Sequence, residues 1–177
     1  MKVSIPSRNL ILVTTIFLIY IVPLRAEDSP QDYLDAHNKV RAEVGVGPLT
    51  WDLKLALYAS THAKKLEVVC TLELSEVPDG ELFAPYGENL AMGAWSSGNM
   101  SAAQAVEMWV KEKSDYNYSS NTCAPDRLCS SYTQVVWRNS VKLGCAKARC
   151  PDPVYGRRTF VYCNYDPRGN GFEERPY

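Results

Sequence analysis

Six cysteines, at positions 70, 123, 129, 145, 150 and 163, constrain this chain more than any other feature. An even number of cysteines behind an apolar leader points to disulfides formed in an oxidising compartment. None of the spacings gives the paired C-x-x-C ligands of a structural zinc site. Sequence alone leaves the pairing open. A fold carrying these bridges must bring residues from position 70 and from the last third of the chain together.

The leader is Lys2 and Arg8 followed by an apolar run from Leu10 to Val22, interrupted only by Thr14 and Thr15. Pro23-Leu-Arg-Ala26 supplies a break and a small residue. This pattern predicts a secretory signal peptide over 1–26, cleaved after Ala26. The run falls short of the ~20 apolar residues of a membrane span, and no other stretch qualifies. Residues 27–177 are then one domain by length. Without Lys2, Arg8 and Arg25 the formal net charge is −4, against −1 for the whole chain. That balance argues against a nucleic-acid partner and against recruitment to anionic lipid by charge alone.

Three helices are signalled by their starts. Ser29-Pro30 opens the first, which carries His37, Val40 and Val44 and stops at Gly45. Asp52 opens the second, running to about Val69, with His62 reading as a solvated position between Thr61 and Lys64. Ser101 with Gln104 forms a capping box for the third, whose face holds Val106, Trp109 and Val110. His37, alone on an apolar face, reads as a packed, hydrogen-bonded core residue. Residues 70–100 are rich in breakers and read as a long loop, and Asn117 to Arg127 as a polar loop. Tyr132 to Trp137 is a β-branched and aromatic run that reads as a buried strand. Arg138-Asn-Ser140 would turn it into a second strand, Val141 to Cys145, and later runs end at Phe160-Val-Tyr-Cys-Asn-Tyr165. The expected class is α+β, a helical first half packed on a small cysteine-rich sheet. Asn99-Met-Ser101 and Asn117-Tyr-Ser119 are N-glycosylation sequons.

Four blocks carry a family resemblance: His37-Asn-Lys-Val-Arg41, Tyr86-Gly-Glu-Asn-Leu-Ala91, Tyr132-Thr-Gln-Val-Val-Trp-Arg-Asn139 and Cys163-Asn-Tyr-Asp-Pro-Arg-Gly-Asn170. In this order they closely resemble the plant pathogenesis-related 1 branch of the CAP superfamily, over residues 30–177. The resemblance implies a three-layer α-β-α sandwich with a small, mainly antiparallel sheet. It implies the disulfides Cys70–Cys145, Cys123–Cys129 and Cys150–Cys163. It also implies a cleft tetrad of two histidines and two glutamates able to bind a divalent metal. Here those positions are Leu74, Glu88, Glu112 and Ser131, so both carboxylates remain and both histidines are replaced. Imidazole is the main nitrogen ligand for zinc, and this set makes a poor zinc site. No cofactor is expected.

Catalysis is disfavoured for the same reason. Ser131 has no histidine placed to activate it, and there is no Gly-x-Ser-x-Gly elbow. Glu88 and Glu112 as an acid–base pair of a metal-dependent hydrolase or protease is the runner-up. The alternative for both carboxylates is to accept hydrogen bonds and organise the cleft. The resemblance implies a monomeric, extracellular (apoplastic) defence protein with antimicrobial activity that binds a sterol or other lipid. Residues 167–177 resemble an eleven-residue immune signal that related proteins release by cleavage between the positions of Asp166 and Pro167. That function would need a processing protease and a peptide receptor. A third class is a module that binds a protein partner in the cleft.

Overall fold

A computed structural model describes residues 27–94, 99–152 and 156–177. The leader at 1–26 lies outside the described residues. The helix starts follow the caps. Ser29 accepts from the Asp32 N–H and Asp32 reaches back to Ser29, with Pro30 at the first helical position of α1 (Pro30–Glu43). A short β1 (Thr50–Trp51) leads to Asp52, whose carboxylate accepts from the Lys54 and Leu55 N–H groups and opens α2 (Leu53–Val69). Ser101 and Gln104 form the reciprocal box of α3 (Ala102–Val110), which tightens into a 3-10 turn over Lys111–Asp115.

A four-stranded sheet runs through the middle in the order β1-β5-β6-β2. β5 (Lys142–Asp152) and β6 (Gly156–Asp166) are antiparallel neighbours, and β2 (Gly87–Ala94) closes the far edge, antiparallel to β6. Only the two-residue β1 is parallel to its partner. Side chains alternate between the faces, and this separates two apolar layers. Leu143, Cys145, Val161, Cys163 and Tyr165 join the buried cluster formed with α1, α3 and α4 (Ser130–Val135). Ala148, Cys150 and Phe160 join Ala63 and Leu66 of α2 on the opposite face. Helix, sheet and helix thus form three layers. Gly144 permits the close approach of α2, because a Cβ there would lie 2.1 Å from the Ala56 backbone nitrogen.

Four expectations are corrected. Residues 130–135 form helix α4 instead of a strand. Tyr132, Val135 and Val136 are buried at helical spacing, and a short apolar run surrounded by core does not reveal its period. The expected loop over 70–100 contains β2, whose glycines and alanines carry no strand signal of their own. The polar loop after Asn117 is partly a small hairpin, β3 (Tyr116–Asn117) with β4 (Thr122–Cys123).

The disulfide pattern is the fourth. Cys123–Cys129 is as expected, but the others are Cys70–Cys150 and Cys145–Cys163 instead of Cys70–Cys145 and Cys150–Cys163. The sheet explains the exchange. Cys145 and Cys163 are directly opposite in register and share the α1/α3 face. Cys150 lies five residues from Cys145, so it points to the other face, where Cys70 ends α2. In register Cys150 faces Arg158, well along β6 from Cys163.

Candidate binding cleft

The start of β2 places Glu88 opposite Asn164 of β6, on one face of the sheet. Its carboxylate accepts from the Ser75 N–H at 3.1 Å, from the Ser75 hydroxyl, and from Asn164 Nδ2 at 3.4 Å. The buried Tyr162 hydroxyl lies beside it, and burial together with Glu88 pushes that phenol above its usual range. Leu74 precedes Ser75 and is 64% exposed. It shares a cleft of about 300 Å³ with Val77, Leu82, Phe83, Glu88 and Arg168. Leu82 and Phe83 are 85% and 62% exposed, and the Arg168 guanidinium covers the Phe83 ring at 4.3 Å.

Glu112 and Ser131 meet at the start of α4. One Glu112 oxygen accepts the Ser131 N–H at 2.8 Å and the Tyr132 N–H at 3.1 Å. Glu112 therefore caps α4, whose own N-cap residue, Cys129, makes no side-chain cap. The Ser131 carbonyl accepts from Asn89 Nδ2 at 2.9 Å. Since Glu88 and Asn89 are successive on β2, they serve opposite faces. Leu74 borders Glu88 in the cleft, Glu112 holds the Ser131 N–H, and the neighbouring α4 residues Ser130 and Gln134 line that same cleft. Each carboxylate already holds donors, and among the described residues no three His, Cys, Asp or Glu side chains gather as a metal-holding group. The donor set does not fit the zinc site implied by the resemblance.

Neither histidine supplies the missing imidazoles. His37 is fully buried, with Nδ1 2.7 Å from the Tyr33 carbonyl and Nε2 2.8 Å from the Tyr165 hydroxyl. The carbonyl requires an N–H at Nδ1, so Nε2 accepts from Tyr165, and Tyr165 accepts from Asn89 Nδ2 at 3.1 Å. This chain of bonds links α1, β6, β2 and α4. Burial lowers the His37 pKa to about 4 from 6.5. The unfolded chain binds the extra proton first, so stability should be full above pH 6.5 and fall by roughly 3 kcal/mol as pH drops towards 4. Urea unfolding of wild type and His37→Gln across that window should show a steeper slope in the wild type. His62 is corrected: it is 8% exposed, with Nε2 2.6 Å from the Glu73 carbonyl and its ring 4.5 Å from that of Tyr162. It faces a neighbouring cavity with Tyr58, Ser75 and Asp79.

Residues missed by sequence reasoning hold the framework. Asn38 clamps Leu49 through both its amide atoms, and buried Arg41 donates to the carbonyls of Gly47, Val135, Trp137 and Ser140. The signal was present in the His37–Arg41 block, which combines polar residues with an apolar helix face. Both sequons are at the surface: Asn99 accepts from Arg149 at 3.2 Å, and exposed Asn117 holds the Ser119 N–H at 3.0 Å.

Residues 34–165 match the model of the cysteine-rich secretory protein family, CAP. The chain belongs to the CAP family. It is 49% identical to pathogenesis-related protein 1 of Arabidopsis thaliana over 97% of this chain and 96% of that one. It is 50% identical to pathogenesis-related protein 1A of Nicotiana tabacum over 98% and 96%. Among solved structures, Schistosoma mansoni venom allergen-like protein 4 aligns with a TM-score of 0.59 and 27% identity over 83% of this chain and 92% of that one. A structure of NaASP2 with Zn²⁺ shares the CAP fold, with a TM-score of 0.61 and 23% identity over 86% of each chain. Among the described residues no helix is long and apolar enough to cross a membrane.

Proposed function

We propose that this CAP protein is secreted, acts in plant defence without catalysis, and binds a sterol or another lipid in the cleft beside β2. The observation that carries this reading is the exposed apolar wall of Leu74, Leu82 and Phe83 at a concave site. Exposed apolar side chains around a cavity cost free energy until a ligand covers them. The engagement of Glu88 and Glu112 as hydrogen-bond acceptors supports the non-catalytic part. Titration of disulfide-intact 27–177 with a fluorescent sterol should saturate. Leu82→Asp and Phe83→Asp should each weaken binding roughly tenfold or more, since each removes an apolar contact of about 1.5–3 kcal/mol. Absence of saturation, or equal affinity in both variants, would count against the cleft.

A second reading, that the chain is also the precursor of the peptide Pro167–Tyr177, is favoured by the exposure of Pro167 and Arg168 where β6 ends. Mass spectrometry of extracellular fluid from immune-induced tissue should find Pro167–Tyr177; its steady absence would remove this reading.

A further inference from the structure

We infer that α4 and the β3–β4 hairpin form a peptide-binding groove for this chain's own C-terminal segment, and that the segment stays bound after the Asp166–Pro167 bond is cut. The inference rests on the precursor reading for its biological setting, but its geometry is independent of it. The contacts fall at both ends of the segment. At the start, the Ser140 hydroxyl donates to the Pro167 carbonyl at 2.7 Å, and the Gly169 N–H donates to the buried Gln134 Oε1 at 2.9 Å. Thr133 donates to Asn170 Oδ1 at 2.7 Å, and Asn170 Nδ2 donates to the Ser130 carbonyl at 2.9 Å. A Cβ at Gly169 would stand 2.7 Å from Trp137 Cγ, so only glycine fits between that ring and Gln134.

At the end, the Arg138 N–H donates to the carbonyl of buried Pro176 at 2.6 Å. Arg175 donates to the Ser119 carbonyl at 3.0 Å, and the Tyr177 ring stacks on Tyr118 at 4.6 Å with its hydroxyl 3.3 Å from that of Tyr132. Asn121 Nδ2 also holds the Glu174 carbonyl at 3.1 Å. The middle is presented outwards, with Phe172 91% exposed. Each of Tyr132, Thr133 and Gln134 in the Tyr-Thr-Gln motif therefore receives one residue of the tail.

Hydrolysis adds water across the Asp166–Pro167 amide, leaving a carboxylate on Asp166 and a protonated secondary amine on Pro167. None of the contacts above involves the broken bond. Cutting and release are thus separate steps, and the groove sets the rate of the second. It displays Phe172 while retaining the ends.

The test supplies the cut. A recognition sequence for a site-specific protease is inserted between Asp166 and Pro167 of the full chain. The protein is cleaved in native buffer with disulfides intact and followed by gel filtration and native mass spectrometry. The peptide should travel with the body and separate only in denaturant. In the same background Thr133→Val with Asn121→Ala, which removes two hydrogen bonds to the tail, should speed release at least about tenfold. Peptide appearing free as fast as it is cut would overturn the inference. Should the insertion prevent folding, amide exchange on the unaltered chain decides. Gly169 and Arg138 N–H groups should be strongly protected, and exchange at open-chain rates would overturn retention. Since the cut is supplied, failure to find natural processing removes the precursor reading alone.

Discussion

Replacing Arg41 with methionine is expected to destabilise the protein by on the order of 4 kcal/mol, because one side chain holds four buried acceptors. The guanidinium is 1% exposed and donates to four carbonyls, at Gly47, Val135, Trp137 and Ser140, over distances of 2.7–3.0 Å. Those carbonyls lie in the turn after α1 and between the end of α4 and β5; the Trp137 carbonyl also accepts the Ser140 N–H at 3.2 Å. Methionine fills similar volume but removes these donors, and each acceptor left without a partner costs roughly 1–3 kcal/mol before relaxation. Burial lowers the Arg41 pKa to about 10, so it remains charged at neutral pH. Arg41→Lys keeps the charge but replaces a planar fork with a point donor, and should recover less than half of the loss. Urea unfolding midpoints at constant slope provide the measurement. A shift below about 1 kcal/mol for Arg41→Met would mean that other donors reach these carbonyls, and would sink the clamp account.

This clamp shows where sequence reasoning succeeded and where it lacked information. Local chemistry was legible: Ser29, Asp52 and Ser101 cap helices that begin where their side chains dictate. His37 is the bonded core residue its apolar surroundings implied. What failed depended on partners distant in sequence. The run at 132–137 is buried on all sides, so its composition suits a strand as well as the helix that Glu112 caps from nineteen residues away. β2 is recruited by β6 through eight register pairs and has little strand propensity itself. His62 looked solvated from its neighbours Thr61 and Lys64, yet a loop residue, Glu73, and Tyr162 of β6 cover it. For the cleft, the residue types were legible: Leu74 and Ser131 bring no imidazole. The donors that Glu88 and Glu112 hold, the Ser75 and Ser131 N–H groups, come from segments distant in sequence and were not.

Strand alternation makes the second large prediction. Removing Cys70–Cys150 by a double Ser substitution should cost about 4.5 kcal/mol, and removing Cys145–Cys163 about 3 kcal/mol, in the chain-entropy account. The difference follows from sequence separations of 80 and 18 residues. The longer bridge ties the end of α2 to β5, so its loss frees the loop that carries Leu74 and Phe83 along with that helix end. The shorter one joins strands already paired through a continuous register. Its loss should leave lipid binding closer to wild type, whereas loss of the longer one should weaken it along with stability. Non-reducing peptide mapping comes first, and it should recover Cys70 linked to Cys150. Recovery of Cys70 linked to Cys145 would require Cys145 to turn from the α1/α3 face to the α2 face. Such a turn shifts β5 by one residue and reverses every side chain along it, including Leu143 and Ala148. The mapping therefore tests the sheet register and the two-layer core together, because no local rearrangement reconciles that pairing with this sheet.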